Sequence, residues 1–177
     1  SAIVTAVLMM FSYTYTTGAY AKHVEKMYSV DVFKNCDYQT LQGESFTSED
    51  IAKSKLTLIN VWKTDCGPCV SEMPDLERIN NEYDDSEVRI VGLCIDVVPY
   101  GKEVDEEKKA EELRILSETE ATFTQILADE ELYNFVISVI PGTPTTFVID
   151  SEGNYIKMTS GGKDYEGWKE YIEECRL

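Results

Sequence analysis

Histidine and paired cysteines, the usual ligands of structural zinc, are scarce in this sequence. Histidine occurs once, as His23, and Cys66 and Cys69 form the one pair of cysteines separated by two residues. A four-ligand zinc site with the usual spacing needs a second such pair. A metal-binding module is therefore a poor interpretation, and we expect no metal ion.

Positive charge is also scarce, because 16 Lys and Arg residues stand against 33 Asp and Glu residues and give a net charge of -17. Such a chain repels phosphate backbones and anionic lipid headgroups. No nucleic acid partner is expected, and neutral or basic proteins are favoured as partners.

Internal repeats, glycine-serine linkers and low-complexity tracts are lacking too, so the 177 residues should form one well-buried domain.

The amino-terminal segment lacks charge altogether. Residues 1–21 contain no charged side chain, and Ala2 to Phe11 is a nearly continuous apolar run of the length found in signal-peptide cores. Two interpretations stay open for residues 1–30: an export signal or membrane anchor, or an ordered element that packs on the domain or on a neighbouring chain. Residues 31–177 are expected to form the folded domain.

A strand, a helix and a second strand occupy the middle of the chain. Lys55 to Trp62 is a short, β-rich apolar run, which is typical of a strand buried on both faces. Cys69 to Tyr83 carries apolar residues at spacings of three and four, which predicts an amphipathic helix. Glu87 to Ile95 is predicted to be a second buried strand. The short connections predict a parallel pair with a right-handed crossover.

The second half of the chain adds helices and a hairpin. Asp105 to Thr119 is predicted to be a charged helix that turns Leu113 and Leu116 to the core. It is followed by a short run over residues 123–127, a helix over 130–138, a β-hairpin over 145–150 and 154–159, and a last helix over 165–175. This order predicts an α/β three-layer domain with a mixed central sheet and a helical insertion.

The motif Cys66-Gly67-Pro68-Cys69 lies between the first buried strand and the helix that follows it. Two intervening residues at a helix start bring both sulfurs within bonding distance, and the positive end of the helix dipole favours the thiolate of the more exposed Cys66. Cys66 is the predicted nucleophile. Cys69 is the predicted resolving thiol, which attacks the mixed disulfide and releases the product.

The stretch KLTLINVWKTDCGPCVSEMPDLERI resembles the active-site segment of the TlpA/ResA branch of the thioredoxin superfamily. Residues 141–150 resemble the second signature of that family, a cis-proline loop that faces the dithiol. With the segment Ser45 to Ile51, the resemblance covers residues 33–177. It implies a thioredoxin-like fold with a helical insertion before the cis-proline loop, and a thiol-disulfide oxidoreductase that is secreted or membrane-anchored outside the cytoplasm.

The resemblance implies partners as well as a fold. They are protein thiols or disulfides and an upstream electron donor, and the redox group is the cysteine pair itself, without a cofactor. Thr143-Pro144 matches the cis peptide that docks substrate backbone. Trp62, Gly67 and Pro68 match positions at or beneath the substrate-binding surface, with core packing alone as the alternative for Trp62.

Glu72 matches an acidic residue that this family places near the dithiol. Because Glu72 follows Cys69 by three residues, it could face the same side of the helix and accept a proton. The alternative is an exposed glutamate near the positive end of a helix dipole. Asn60 stands where cytoplasmic thioredoxins carry a buried aspartate, and asparagine is what the TlpA/ResA branch shows there.

Asp65 departs from the family, in which the residue before the first cysteine is usually a bulky aromatic. An inward-pointing carboxylate would oppose formation of the Cys66 thiolate, whereas a solvent-facing one would change little. The choice between reductant and oxidant therefore stays open.

Three further cysteines cannot all pair within the chain. Cys94 is expected to be a core residue, whereas a disulfide, an exposed thiol and a contact between chains all stay open for Cys36 and Cys175.

A cysteine peroxidase is a poor alternative function, because the proline and threonine that usually precede its lone cysteine are missing. A redox-dependent binding module of the same fold, without turnover, stays as the alternative function.

Overall fold

The two predicted buried strands form the centre of a mixed sheet in the computed structural model, which describes residues 31–176. The strands are β1 (Asp37–Gln39), β2 (Ser45–Thr47), β3 (Leu56–Trp62), β4 (Val88–Cys94), β5 (Thr124–Ile126), β6 (Thr145–Asp150) and β7 (Tyr155–Ser160). The main sheet has the order β5-β4-β3-β6-β7, and β1 pairs with β2 in a separate hairpin.

The pairing directions are those of a thioredoxin-like sheet. β3 runs parallel to β4 and antiparallel to β6, and β6 pairs antiparallel with β7. All seven residues of β3 are buried, since helices cover both faces of a strand in the middle of such a sheet. The predicted parallel pair, terminal hairpin and α/β three-layer class are confirmed.

The helices are α1 (Ser48–Ile51), α2 (Gly67–Glu82), α3 (Glu106–Thr119), α4 (Glu130–Val139) and α5 (Tyr165–Cys175). α2 begins two residues earlier than predicted, with Cys66 as its N-cap and Pro68 in its first turn. Proline fits there because the first backbone N–H groups of a helix have no partner within the helix.

Two details between β4 and β6 differ from the prediction. The run over residues 123–127 contains β5, which pairs parallel with β4, so this part of the chain adds a strand as well as helices. Leu113 is 48% exposed, and Ile115 packs inward with Leu116 instead. With 3.6 residues per turn, a buried face through positions 112, 115 and 116 turns position 113 to solvent.

The topology brings the chemistry-bearing segments to one edge of the sheet. β3 and β4 end at this edge, and β6 begins there, because Val61 of β3 is paired with Thr145 of β6. The loop from β3 to α2, the segment after β4 and the Thr143-Pro144 loop therefore meet where parallel strands end, a common place for active sites in α/β proteins.

The expectations for residues 1–30, including His23, fall outside the described residues. Within residues 31–176, none of the helices combines the length and the apolar character that a membrane crossing requires.

Candidate active site

Cys66 and Cys69 are joined by a disulfide bond, with their Cα atoms 5.3 Å apart. The Cys66 residue is the N-cap of α2 and is partly exposed, whereas Cys69 is 1% exposed and packs into the core with Trp62 and Met73. The two sulfurs therefore differ in access, because a docking partner can approach Cys66 but not Cys69.

The charges near Cys66 favour a thiolate in the reduced form. The first turn of α2 contains no acidic residue, and the positive end of the helix dipole is directed at the N-cap. Asp65 is 64% exposed and its Oδ1 atom lies 3.1 Å from Lys63 Nζ. Its carboxylate is thus solvated and paired. The side chain of Asp65 faces solvent and does not point inward.

Glu72 is a buried acid one turn after Cys69. It is 3% exposed, so the exposed-glutamate alternative is wrong. Asn60 Nδ2 donates to Glu72 Oε1 at 3.0 Å, and the Lys163 backbone N–H donates to Oε2 at 3.1 Å. Burial raises the pKa of Glu72 to about 7, although both hydrogen bonds act to lower it. The carboxyl can therefore take up or release a proton near neutral pH.

Asn60 connects this acid to the proline loop. Its Nδ2 atom also donates to Thr146 Oγ1 at 3.0 Å, and Thr146 follows the Thr143-Pro144 peptide by two residues. The Thr143-Pro144 peptide bond is cis, as the resemblance implied. The Pro144 carbonyl accepts the Gly161 backbone N–H at 2.9 Å, which joins this loop to the segment after β7.

Trp62 is fully buried beneath the cysteine pair. Its Nε1 atom donates to Gln125 Oε1 at 3.1 Å, and Gln125 in turn lies against Gly92. Having no exposed surface, the indole cannot touch a docked partner, so the expectation of substrate contact is corrected to one of core packing. Gly67 and Pro68, in contrast, are exposed beside Cys66.

Three residues of this region were not identified from the sequence: Thr146, Gln125 and Lys163. Each contacts a residue far away along the chain, and Lys163 donates its hydrogen bond through the backbone N–H. Thr146 alone had a signal, because it follows the proline loop at the start of a predicted strand.

The remaining cysteines do not form a second site. Cys36 and Cys94 are buried free thiols and Cys175 is a half-buried one. Cys94 is a core residue as predicted, and its burial raises the pKa of its thiol. Within residues 31–176, no group of three or more His, Cys, Asp or Glu residues could hold a metal ion.

A thioredoxin-like sheet, a cysteine pair at a helix start and a cis-proline loop at the same edge are the features of a TlpA/ResA-like protein of the thioredoxin superfamily. The chain belongs to the Redoxin family, whose model matches residues 28–170.

Curated relatives agree with this assignment. The thioredoxin-like protein YneN of Bacillus subtilis is 33% identical over 115 residues, which cover 65% of this chain and 61% of YneN. The thiol-disulfide oxidoreductase ResA of Halalkalibacterium halodurans is 27% identical over 135 residues, which cover 76% of this chain and 70% of ResA. The match to YneN thus spans less than two thirds of that protein.

Solved structures show the same fold. The crystal structure of StoA from Bacillus subtilis gives a TM-score of 0.59 at 23% identity, covering 77% of this chain and 94% of StoA. A putative thiol:disulfide interchange protein DsbE from Chlorobium tepidum gives a TM-score of 0.62 at 21% identity, covering 82% of this chain and 92% of that one.

Proposed function

We propose that this chain exchanges disulfides with partner proteins outside the cytoplasm through Cys66 and Cys69. The observation that carries the proposal is the difference in access between the two sulfurs, of which Cys66 is partly exposed and Cys69 is buried. Such a pair suits a two-step exchange, because only one sulfur meets the partner and the other acts from within the protein.

The reaction conserves atoms and electrons without a further cofactor. In the reductive direction, the Cys66 thiolate attacks a partner disulfide, forms a mixed disulfide and releases one partner thiolate. Cys69 then loses its proton and attacks the Cys66 sulfur, which forms the Cys66–Cys69 disulfide and releases the second partner thiolate. Two electrons pass to the partner, and an upstream dithiol donor must reduce the pair again. The Cys66–Cys69 disulfide of the structure is the product of this direction and the reactant of the opposite one.

Glu72 is the proposed proton acceptor for Cys69. It follows Cys69 by three residues on α2, and its pKa of about 7 lets it be ionised in a substantial fraction of molecules at neutral pH. We further propose that Gly67, Pro68 and the Thr143-Pro144 loop form the surface on which the partner backbone docks.

Three observations support an extracytoplasmic location and protein partners. The uncharged residues 1–21 suit an export signal or a membrane tether. A secreted disulfide oxidoreductase of Mycobacterium tuberculosis has a similar fold, with a TM-score of 0.62 at 15% identity. The net charge of -17 favours neutral or basic partners.

Turnover with a disulfide substrate tests the proposal. The wild-type protein should reduce insulin with dithiothreitol as donor, Cys66→Ser should lose this activity, and Cys69→Ser should accumulate mixed disulfides with targets. Cys175→Ser, which removes a half-buried free thiol, is the matched control and should keep full activity. A wild-type protein without turnover, whose Cys66→Ser variant still captures partners, would instead be a binding module.

Location needs a separate experiment. Cells that produce the protein are fractionated and probed with an antibody raised against the full chain. We expect the protein in the membrane or extracytoplasmic fraction, and recovery in the cytoplasmic fraction alone would contradict this part of the proposal.

A further inference from the structure

A carboxylate outside the cysteine pair holds the loop that carries Cys66. Asp96 lies two residues beyond the end of β4, and its side chain is 13% exposed. Its Oδ1 and Oδ2 atoms accept the Thr64 backbone N–H at 3.1 and 3.2 Å, and Oδ2 accepts the Thr64 hydroxyl at 2.7 Å. Because Thr64 precedes Cys66 by two residues, Asp96 fixes the backbone just before the exposed sulfur.

Lys108, in the first turn of α3, completes the network. Its Nζ atom lies 3.2 Å from Asp96 Oδ2 and donates to Thr64 Oγ1 at 2.9 Å. The Cys94 thiol donates to Asp96 Oδ1 at 3.1 Å. The β3–α2 loop, the end of β4 and the start of α3 are therefore joined at one carboxylate.

Asp96 carries a negative charge at neutral pH. Burial opposes its ionisation, but hydrogen bonds from Thr64, Cys94 and Lys108 outweigh burial and lower the pKa of the carboxyl. Lys108 is correspondingly cationic, because its hydrogen bond to Asp96 raises the pKa of its ammonium group. The loop before Cys66 thus lies against a fixed pair of opposite charges.

Other acidic groups face this charge pair. Asp65 and Asp105 interact with Lys108 across solvent-exposed surface, and Asp65 is already paired with Lys63. Glu112 approaches Asp96 from the buried side of α3, but burial raises the pKa of Glu112 to about 8, so it is mainly neutral at pH 7. Asp96 and Lys108 therefore provide the ordered charges next to the Thr64 backbone.

We propose that Asp96 is a positioning residue for the disulfide exchange: with Lys108 it holds the Thr64 backbone and thereby sets the position and the charge environment of the Cys66 sulfur. This inference rests on the dithiol function proposed above. Loss of the Asp96 charge leaves the Lys108 ammonium unbalanced and favours the Cys66 thiolate. Loss of the Lys108 charge leaves the Asp96 carboxylate unbalanced and disfavours it.

The test compares Asp96→Asn with Lys108→Met in the full chain. The alkylation rate of Cys66 in reduced protein is measured against pH to give its pKa, and the dithiol–disulfide equilibrium is measured against glutathione. We expect Asp96→Asn to lower the Cys66 pKa and Lys108→Met to raise it, each by roughly 0.3 to 1 pH unit. The equilibrium constants should move in opposite directions by about two- to tenfold.

Two further variants separate positioning from folding. Thr64→Val removes the hydroxyl but keeps the charges of Asp96 and Lys108, and it should slow mixed-disulfide formation. Thr64→Ser keeps the hydroxyl and should match wild type. Lys55→Met is the matched control, because Lys55 pairs with Glu87 at 2.7 Å at the opposite end of β3. It should leave the Cys66 pKa unchanged.

The inference is overturned if Asp96→Asn and Lys108→Met lower the melting temperature but leave the Cys66 pKa unchanged, or if both shift it in the same direction. If Asp96→Asn does not fold, Lys108→Met and the two Thr64 variants decide the matter. A wild-type pair that never equilibrates with glutathione would defeat the proposed function, whereas the alkylation measurement would still decide the role of Asp96.

Discussion

Asn60 Nδ2 donates a hydrogen bond to Glu72 Oε1 at 3.0 Å, which ties the central strand β3 to the helix that carries the cysteine pair. The same amide nitrogen reaches Thr146 beside the cis-proline loop. An asparagine cannot itself exchange a proton at this place, so the titrating group of the network is Glu72. A buried carboxyl with a pKa of about 7 is suited to proton transfer at neutral pH.

Replacing Glu72 should change how the exchange rate depends on pH. In wild type, the rate should rise through about pH 7 as the carboxyl loses its proton. We expect Glu72→Gln to lose the part of this rise that comes from the carboxyl, while the part that follows ionisation of the Cys66 thiol stays. Above pH 7 the variant should be slower by roughly tenfold or more, because it lacks the general base. Stopped-flow reduction of a model disulfide between about pH 5.5 and 9 measures the profile. Glu166→Gln, at an exposed position on α5, is the control. Identical profiles for Glu72→Gln and wild type would exclude the proton-acceptor role.

Glu112 should make the protein less stable as pH rises. Both of its carboxylate oxygens lack a hydrogen-bond partner within the described part of the chain, and burial raises its pKa from 4.5 to about 8. A raised pKa means that the folded state binds the proton more tightly. The contribution of this bound proton to the free energy of unfolding is therefore complete below the pKa of Glu112 in the unfolded chain. It is lost as pH rises through the pKa of Glu112 in the folded protein.

The difference in free energy of unfolding between Glu112→Gln and wild type should consequently grow in favour of the variant by roughly 1 to 3 kcal/mol as pH rises from about 5 to 8. Urea unfolding at several pH values measures the difference. Glu107→Gln, an exposed position on the same helix, should show little change. A Glu112→Gln difference that is constant over this pH range would show that the carboxyl is not protonated in the folded protein.

Glu77 is expected to be a major stabilising residue of α2. Its carboxylate accepts the Thr122 backbone N–H at 2.7 Å, the Thr122 hydroxyl at 2.6 Å and Asn81 Nδ2 at 2.8 Å. Glu77→Ala leaves a backbone N–H without its partner and should cost roughly 2 to 4 kcal/mol. Thr122→Val, which keeps the backbone bond, should cost less in the same denaturation experiment. Equal costs would mean that the hydroxyl, and not the backbone N–H, carries the interaction.

Gly92 should not tolerate a side chain. A Cβ atom at this position would lie 2.0 Å from Gln125 Oε1, the atom that accepts the Trp62 Nε1–H. Gly92→Ala should therefore destabilise the protein by about 2 kcal/mol or more, because it displaces Gln125 and leaves the indole N–H unpaired. The double variant Gly92→Ala/Gln125→Ala should cost less than the sum of the two single changes. Strict additivity in thermal unfolding would contradict the contact.

Local sequence patterns were sufficient for most of the fold. The apolar runs of β3 and β4 and the Ser151-Glu152-Gly153 turn predicted the central pair and the hairpin, because each depends on neighbouring residues. The prediction for Leu113 is wrong, because a helix as rich in charges as α3 has only a weak apolar stripe, and its buried face includes Ile115. β5 has only three residues and is defined by its pairing with β4.

In the site, too, local features could be predicted from the sequence and contacts between distant residues could not. Cys66 and Cys69 were predicted because a CxxC pair at a helix start carries its chemistry within four residues. Glu72 accepts a hydrogen bond from Lys163, 91 residues away, and Asp96 accepts one from Thr64, 32 residues away. Such pairings follow from the assembled sheet edge and leave no local pattern.

The most direct test of the central claim is the site at which glutathione becomes attached. Reduced Cys69→Ser and Cys66→Ser proteins are incubated with oxidised glutathione and mapped by peptide mass spectrometry. We expect one glutathione on Cys66 in the first variant and none on the buried Cys69 in the second. Equal labelling of the two cysteines, or no labelling of Cys66, would contradict the assignment of Cys66 as the exposed, attacking thiol.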